Sequence, residues 1–163
     1  MLKSSDPIRV LVVDDSAVVR GFLGRVIDAE PDMCVVGTAG HGRAALEVLR
    51  RKPVDVVLLD VEMPEMDGLT ALPLILQAHP TLRVIMVSAF TVEGGVTTLR
   101  ALRLGATDFV AKPTTLAPGP GIQAIGPELV AKIRALVRPP APLPGTVPAA
   151  ARPARSQGAT APQ

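Results

Sequence analysis

The stretch VLLDVEMPEMDG, residues 57–68, starts as an apolar run and ends in a loop crowded with acids. An apolar run of this length, bounded by turn-forming residues, reads as a strand covered on both faces. Its last residue, Asp60, then sits at the rim of a core, where a carboxylate is costly unless something pairs with it, donates to it or binds it. Glu62, Glu65 and Asp67 follow within seven residues. Of these, Asp67 reads as the cap of the next helix, with Gly68 easing the turn, and Glu65 as a solvated side chain.

Working outward, the same kind of run recurs. IRVLVV (8–13) leads into Asp14-Asp15, LRVIMVS (82–88) ends in Ser88, and TDFVA (107–111) leads into Lys112-Pro113; MCVVG (33–37) is a shorter strand. Between the runs lie stretches of helical period. SAVVRGFLGRVIDA places Val19, Phe22, Leu23, Val26 and Ile27 on one face, and GRAALEVLRRK is stopped by Pro53. GLTALPLILQAHP, VEGGVTTLRALRLG and PELVAKIRALV supply three more, the last with Pro127 at a first-turn position. Five strand–helix units with strands apolar throughout predict an α/β fold: a flavodoxin-like, doubly wound, five-stranded parallel sheet in the order 2-1-3-4-5 with five helices. Such sheets bind ligands outside the carboxyl ends of their strands. There the sequence places three carboxylates (Asp14, Asp15, Asp60), the Ser88 hydroxyl and the Lys112 ammonium.

Three adjacent carboxylates repel one another and call for positive charge. Mg²⁺ suits them, because it favours oxygen ligands and keeps sites open for water and phosphate oxygens. A carboxylate beside such a cation and a lysine is equipped to attack phosphorus and form an aspartyl phosphate. Asp14-Asp15 by themselves read equally well as a helix cap; the matching acids and lysine at other strand ends favour the site.

The remaining composition sets bounds. The chain has 163 residues, 48% hydrophobic, with three Phe and neither Trp nor Tyr, so one domain with an aliphatic core is expected. A single cysteine, Cys34, rules out an internal disulfide and reads as a buried, inert thiol. The sequence begins with no signal-peptide pattern, and no apolar run reaches the ~20 residues that span a bilayer, so a cytoplasmic protein with no membrane association is expected. The pI near 9.1 is misleading. The whole chain is +2, but residues 138–163 hold Arg138, Arg152, Arg155 and no acid, which leaves −1 on residues 1–137. No nucleic-acid face is supported. With seven Pro and seven Ala, residues 138–163 read as a disordered tail or linker after a domain of residues 7–137. GTAGHG (37–42) has the wrong order for a dinucleotide loop and reads as a turn with a glycine-tolerant helix entry, and His41 and His79 read as surface residues.

The pieces VLVVDDS (10–16), LLDVEMPEMDG (58–68), MVSA (86–89) and FVAKP (109–113), in this order, resemble the receiver domain of two-component response regulators. LGATDFVAKP and the long TTLAPGPGIQAIG segment before ELVAKIRALV look most like the receivers of CheB-type chemotaxis methylesterases. That resemblance implies that Asp60 is the phosphoacceptor. Asp14 and Asp15 would be Mg²⁺ ligands together with Asp60 and the Glu62 main-chain carbonyl. Lys112 would bind phosphate, and Ser88 and Phe109 would form the switch. It also implies phosphorylation by a CheA-like sensor histidine kinase and an output surface of the fourth helix, fifth strand and fifth helix, facing a methylesterase domain or another protein. A cis Lys112–Pro113 bond belongs to the same pattern. Phe109 stands where many receivers have Tyr, so it has no hydroxyl to bond. With no Gly-x-Ser-x-Gly elbow in the sequence, the chain is expected to be regulatory and not an enzyme. Two alternatives are a stand-alone single-domain response regulator and a Mg²⁺-dependent phosphatase with an aspartate nucleophile. The latter pairs its acids as D-x-D after the first strand, unlike Asp14-Asp15.

Overall fold

The computed structural model describes residues 6–89, 94–113, 117 and 119–138. Five strands and five helices alternate: β1 (Ile8–Val13), α1 (Ala17–Asp28), β2 (Met33–Ala39), α2 (Gly42–Arg51), β3 (Val56–Asp60), α3 (Gly68–Ala78), β4 (Arg83–Ala89), α4 (Gly94–Arg103), β5 (Asp108–Lys112) and α5 (Pro120–Val137). The strands form one parallel sheet in the order β2-β1-β3-β4-β5, as expected.

The unbroken apolar runs have a direct cause. Successive side chains of a strand point to opposite faces, and here both faces are covered. Leu11, Val13, Val57, Leu59, Val84 and Met86 point into one layer with Leu49 of α2, Leu72 and Ile75 of α3 and Ala101 of α4. Val10, Val12, Val56, Leu58, Ile85 and Val87 point into the other, with Leu23 and Ile27 of α1 and Leu129 and Ile133 of α5. The polar residues of β1 and β4, Arg9, Arg83 and Ser88, stand near the strand ends and keep some exposure.

The ends of the helices explain several residues. Ser16 caps α1, accepting a hydrogen bond from the Val19 N–H at 3.3 Å. The capping role open to Asp14-Asp15 thus falls to their neighbour. Asp67 caps α3 through the Thr70 N–H at 2.7 Å, as expected. His41 caps α2, its Nδ1 accepting from the Ala44 N–H at 3.2 Å. Within GTAGHG, β2 runs on through Ala39, and the expected glycine entry to the helix is Gly42, which starts α2 where a Cβ would lie 2.7 Å from Ala71 Cβ. α4 ends in a Schellman motif, with the Ala106 N–H donating to Ala101 O and the Gly105 N–H to Leu102 O. Gly105 has φ +107°, a region closed to most side chains.

Three details depart from expectation. α5 begins at Pro120, so Pro127 lies inside the helix and Pro120 takes the N-terminal position. Pro127 removes one backbone donor from the ladder, but tertiary contacts hold the longer helix: Ile125 before it and Leu129, Val130 and Ile133 after it are all buried. Cys34 is half-buried, because β2 is an edge strand, and it is a free thiol. No cis peptide bond occurs among the described residues, so Lys112–Pro113 is trans.

At the far end of α5, Arg134 bonds Asp32 at 2.8 Å and Glu30 at 2.5 Å, and Arg138 donates to the Asp6 carbonyl oxygen. The expected tail lies outside the described residues beyond Arg138. No described helix is long and apolar enough to cross a membrane.

Candidate phosphoacceptor site

Parallel register carries the sequence-predicted residues to one edge of the sheet. Val13 pairs with Leu59, which sets Asp14 beside Asp60, and Asp60 pairs with Val87, which sets Ser88 one residue further out. Ser88 pairs with Ala111 and Ala89 with Lys112. Asp14, Asp15 and Asp60 each offer a carboxylate oxygen within 4.8 Å of the others. Lys112 Nζ lies 2.5 Å from Asp14 Oδ2 and 3.1 Å from Asp60 Oδ1.

Burial separates the three acids. Asp14 and Asp60 are 1% and 4% exposed, whereas Asp15 is open to solvent. Asp14 Oδ1 accepts from the Ser16 N–H at 2.9 Å, and Arg20 Nη1 donates to the Asp14 carbonyl at 2.7 Å. The other oxygen, Asp14 Oδ2, is buried, and its close contact is with the Lys112 ammonium. Burial, followed by the Asp14 charge, raises the Asp60 carboxyl to about 6, against the opposing pull of Lys112. Burial alone would depress Lys112, but Asp14 and Asp60 outweigh it and its pKa is raised, so it stays an ammonium. Against one ammonium stand three carboxylates, and at neutral pH the cluster keeps an excess of negative charge. Three carboxylates grouped in this way, two of them buried, are what a hard divalent cation would satisfy.

The loop after β3 is held from below. A Cβ on Gly68 would lie 2.0 Å from the carbonyl oxygen of Asp60, and the Gly68 N–H donates to Val61 O at 2.8 Å. Glycine is there because the start of α3 runs against the backbone of Asp60 itself, a stronger reason than easing a turn. Glu65 has φ +64°, an unfavourable region for its side chain, and its carboxylate lies 3.4 Å from His41 Nε2. The Gly42 N–H donates to Met66 O, so α2 also steadies this loop. Glu62 is exposed, and with Asp15, Met63, Pro64 and Asp67 it lines a cleft of about 540 Å³ beside the acids. A larger hollow, about 700 Å³, lies at the other edge of the sheet among Lys52, Asp55, His79 and Arg83, away from all of these groups.

Phe109 is half-buried, and its ring packs on the layer of α2, α3 and α4. Ser88 is half-buried. Sequence reasoning missed Ser16 and Arg20, which hold the Asp14 turn, and His41. The serine was legible as a favoured cap residue three positions before Val19; the other two depend on tertiary placement.

The response regulator receiver domain family matches residues 10–118. A protein-glutamate methylesterase/protein-glutamine glutaminase of Paramagnetospirillum magneticum is 50% identical over 133 residues, which are 82% of this chain and 35% of that protein. The chain spans about a third of the length of the curated relatives it matches. Among solved structures, the response regulator domain of Thermotoga maritima CheB is 47% identical, with a TM-score of 0.71 over 80% of this chain and 96% of that one. CheY6 of R. sphaeroides, solved in complex with the P1 domain of CheA3, is 34% identical, with a TM-score of 0.64 over 80% and 97%. Sheet order, the acidic edge and these likenesses agree, and the chain belongs to the response regulator receiver domain family, its receiver being of the chemotaxis CheB kind.

Proposed function

We propose that the chain is a phosphoacceptor module of chemotaxis-type two-component signalling, with Asp60 as the residue phosphorylated. The observation that carries this is the placement of Asp60: a nearly buried carboxylate at the end of the central strand, 3.1 Å from Lys112 and grouped with two more acids. A carboxyl held near 6 is mostly ionised at neutral pH and available as a nucleophile. In the reaction an Asp60 oxygen bonds to phosphorus while the bond from phosphorus to the donor breaks, and the donor leaves with that electron pair. Lys112 holds positive charge against the phosphoryl oxygens, and Ser88 offers them a hydroxyl. Asp14, Asp15, Asp60 and the Glu62 carbonyl are the groups that would hold Mg²⁺, which when bound neutralises charge on the phosphoryl oxygens.

For the donor, the complex of CheY6 with a CheA3 domain supports a CheA-like histidine kinase as partner. For the output, α4 leaves Val96, Leu99 and Leu102 at 74%, 62% and 43% exposure, an apolar stripe suited to a protein contact. The surface of α4, β5 and α5 is therefore the proposed output face, with Ser88 and Phe109 as its switch. Its target would be a methylesterase domain, given the relatives' names, and residues 7–137 would form the regulatory unit, with 138–163 as a tail or linker. The chain itself would be regulatory and work in the cytoplasm, without contact to nucleic acid or membrane. Incubation with acetyl phosphate should add one phosphoryl group to the intact mass, only with Mg²⁺ and not in Asp60→Asn. Equal uptake by that variant would overturn the proposal.

A further inference from the structure

Among the described residues β5 is an edge strand, paired only with β4. On such a strand the backbone groups of alternate residues point outward and find no ladder partner. At Phe109 both outward groups are held by side chains. The Phe109 N–H donates to Asp108 Oδ1 at 2.7 Å, and the Phe109 carbonyl accepts from Lys132 Nζ at 2.6 Å. Lys132 Nζ also lies 3.3 Å from the same Asp108 oxygen and 3.2 Å from Glu128 Oε1. One ammonium, carried on α5, thus closes a ring around the backbone of residue 109.

The two faces of the sheet give this ring its importance. The Phe109 side chain packs with the layer of α2, α3 and α4, whereas α5 packs on the opposite face. The ring of Phe109 therefore has no apolar route to α5. Val110, the next residue, does point into the α5 layer, but an apolar contact can slide and has no direction. The bond from Lys132 to the Phe109 carbonyl is directional and charge-assisted, and at 29% exposure the lysine side chain is partly shielded from water.

We infer that Lys132 is a positioning residue that ties α5 to β5 at Phe109, and that a change of state at Phe109 reaches α5 through this ammonium. The inference rests on the phosphoacceptor reading above and adds to it a route from the acidic edge to the last helix. Asp108 and Glu128 share the role of orienting Lys132, since both form ion pairs with the same Nζ.

The test is an amide NMR titration of the full chain with beryllofluoride and Mg²⁺. In the wild type, signals of Ser88, Phe109 and Lys112 should shift together with those of residues 129–136. In Lys132→Met, which keeps the stem and loses the donors, the first group should still shift and the α5 response should be lost. Lys132→Arg, which can still donate to the carbonyl, should restore it. Should Lys132→Met not fold, Asp108→Ala removes the oxygen that both the Phe109 N–H and Lys132 use, leaves Lys132 in place, and should weaken the α5 response alone. An α5 response equal to wild type in either ring-breaking variant, or a loss that Lys132→Arg does not restore, would overturn the inference while leaving Asp60 as phosphoacceptor. Absence of any shift at Ser88 and Lys112 in the wild type would overturn both.

Discussion

Asp60 is held where burial disfavours its charge and Asp14 repels it, and the carboxyl rises from 3.8 to about 6 as a result. Between those two values the folded chain keeps a proton that the unfolded chain has released, so stability falls as pH rises through this window. Above pH 6 the full cost of a charged Asp60 is present. Asp60→Asn should therefore raise the urea midpoint at pH 7, by up to about 3 kcal/mol in stability, and change little below pH 4. Equal midpoints at both pH values would show that Lys112 already compensates the charge. Gly68→Ala should have the opposite effect, because its Cβ meets the Asp60 carbonyl oxygen at 2.0 Å. A loss of about 1–3 kcal/mol and slower phosphoryl uptake are expected, read by denaturation and by intact mass. Glu65→Gly should raise stability by about 0.5–1 kcal/mol, since the cost of φ +64° exceeds what its exposed contact with His41 returns. Asp60, Asp14, Asp15 and Lys112 were legible in the sequence because each closes an apolar run, where a charge is conspicuous. The reason for Gly68 was not, since a clash with a backbone eight residues earlier appears only once the loop has closed.

Among elements, strand positions could be read from composition alone, because a doubly covered sheet demands unbroken apolar runs such as Val10–Val13, Val56–Leu59 and Val84–Val87. Helix limits were harder. Pro127 reads as a start signal, yet α5 begins seven residues earlier, at Pro120; the buried contacts of Ile125 and Leu129 override the local preference of the proline. β2 was seen as shorter than it is, because its outer side faces solvent and its pattern fades after Val36. That edge is finished by side chains: β2 slips register against β1 beyond Val35, and Lys52 Nζ donates to the Val36 carbonyl at 2.8 Å. The Gly105 ending of α4 was legible, and it supplies a prediction at this scale. Gly105→Ala puts a Cβ 2.6 Å from Leu76 Cδ1 at φ +107° and should lower stability by about 1–2 kcal/mol, with faster amide exchange concentrated in α4. Exchange raised evenly over the chain would contradict a local role for the motif.

For the whole molecule, the acidic edge and the basic pI belong to different parts of one chain. Residues 1–137 carry the acidic cluster and a net −1, while residues 138–163 carry three arginines and no acid. A divalent cation should therefore act on the fold as a specific ligand. Adding Mg²⁺ should raise the melting temperature, with a gain that grows with the logarithm of Mg²⁺ above its dissociation constant, and Asp14→Asn should remove the effect by taking one of the three carboxylates from the cluster. A rise that survives in Asp14→Asn would place the cation elsewhere. The central claim concerns one covalent bond at Asp60, and chemical trapping reads that bond directly. Borohydride reduces an aspartyl phosphate to homoserine with release of phosphate and leaves free carboxylates untouched. After incubation with acetyl phosphate and Mg²⁺, reduction and peptide sequencing should find homoserine at position 60 alone. Homoserine at position 14 or 15, or an unchanged aspartate at 60 in a chain that has taken up phosphate, would contradict the account.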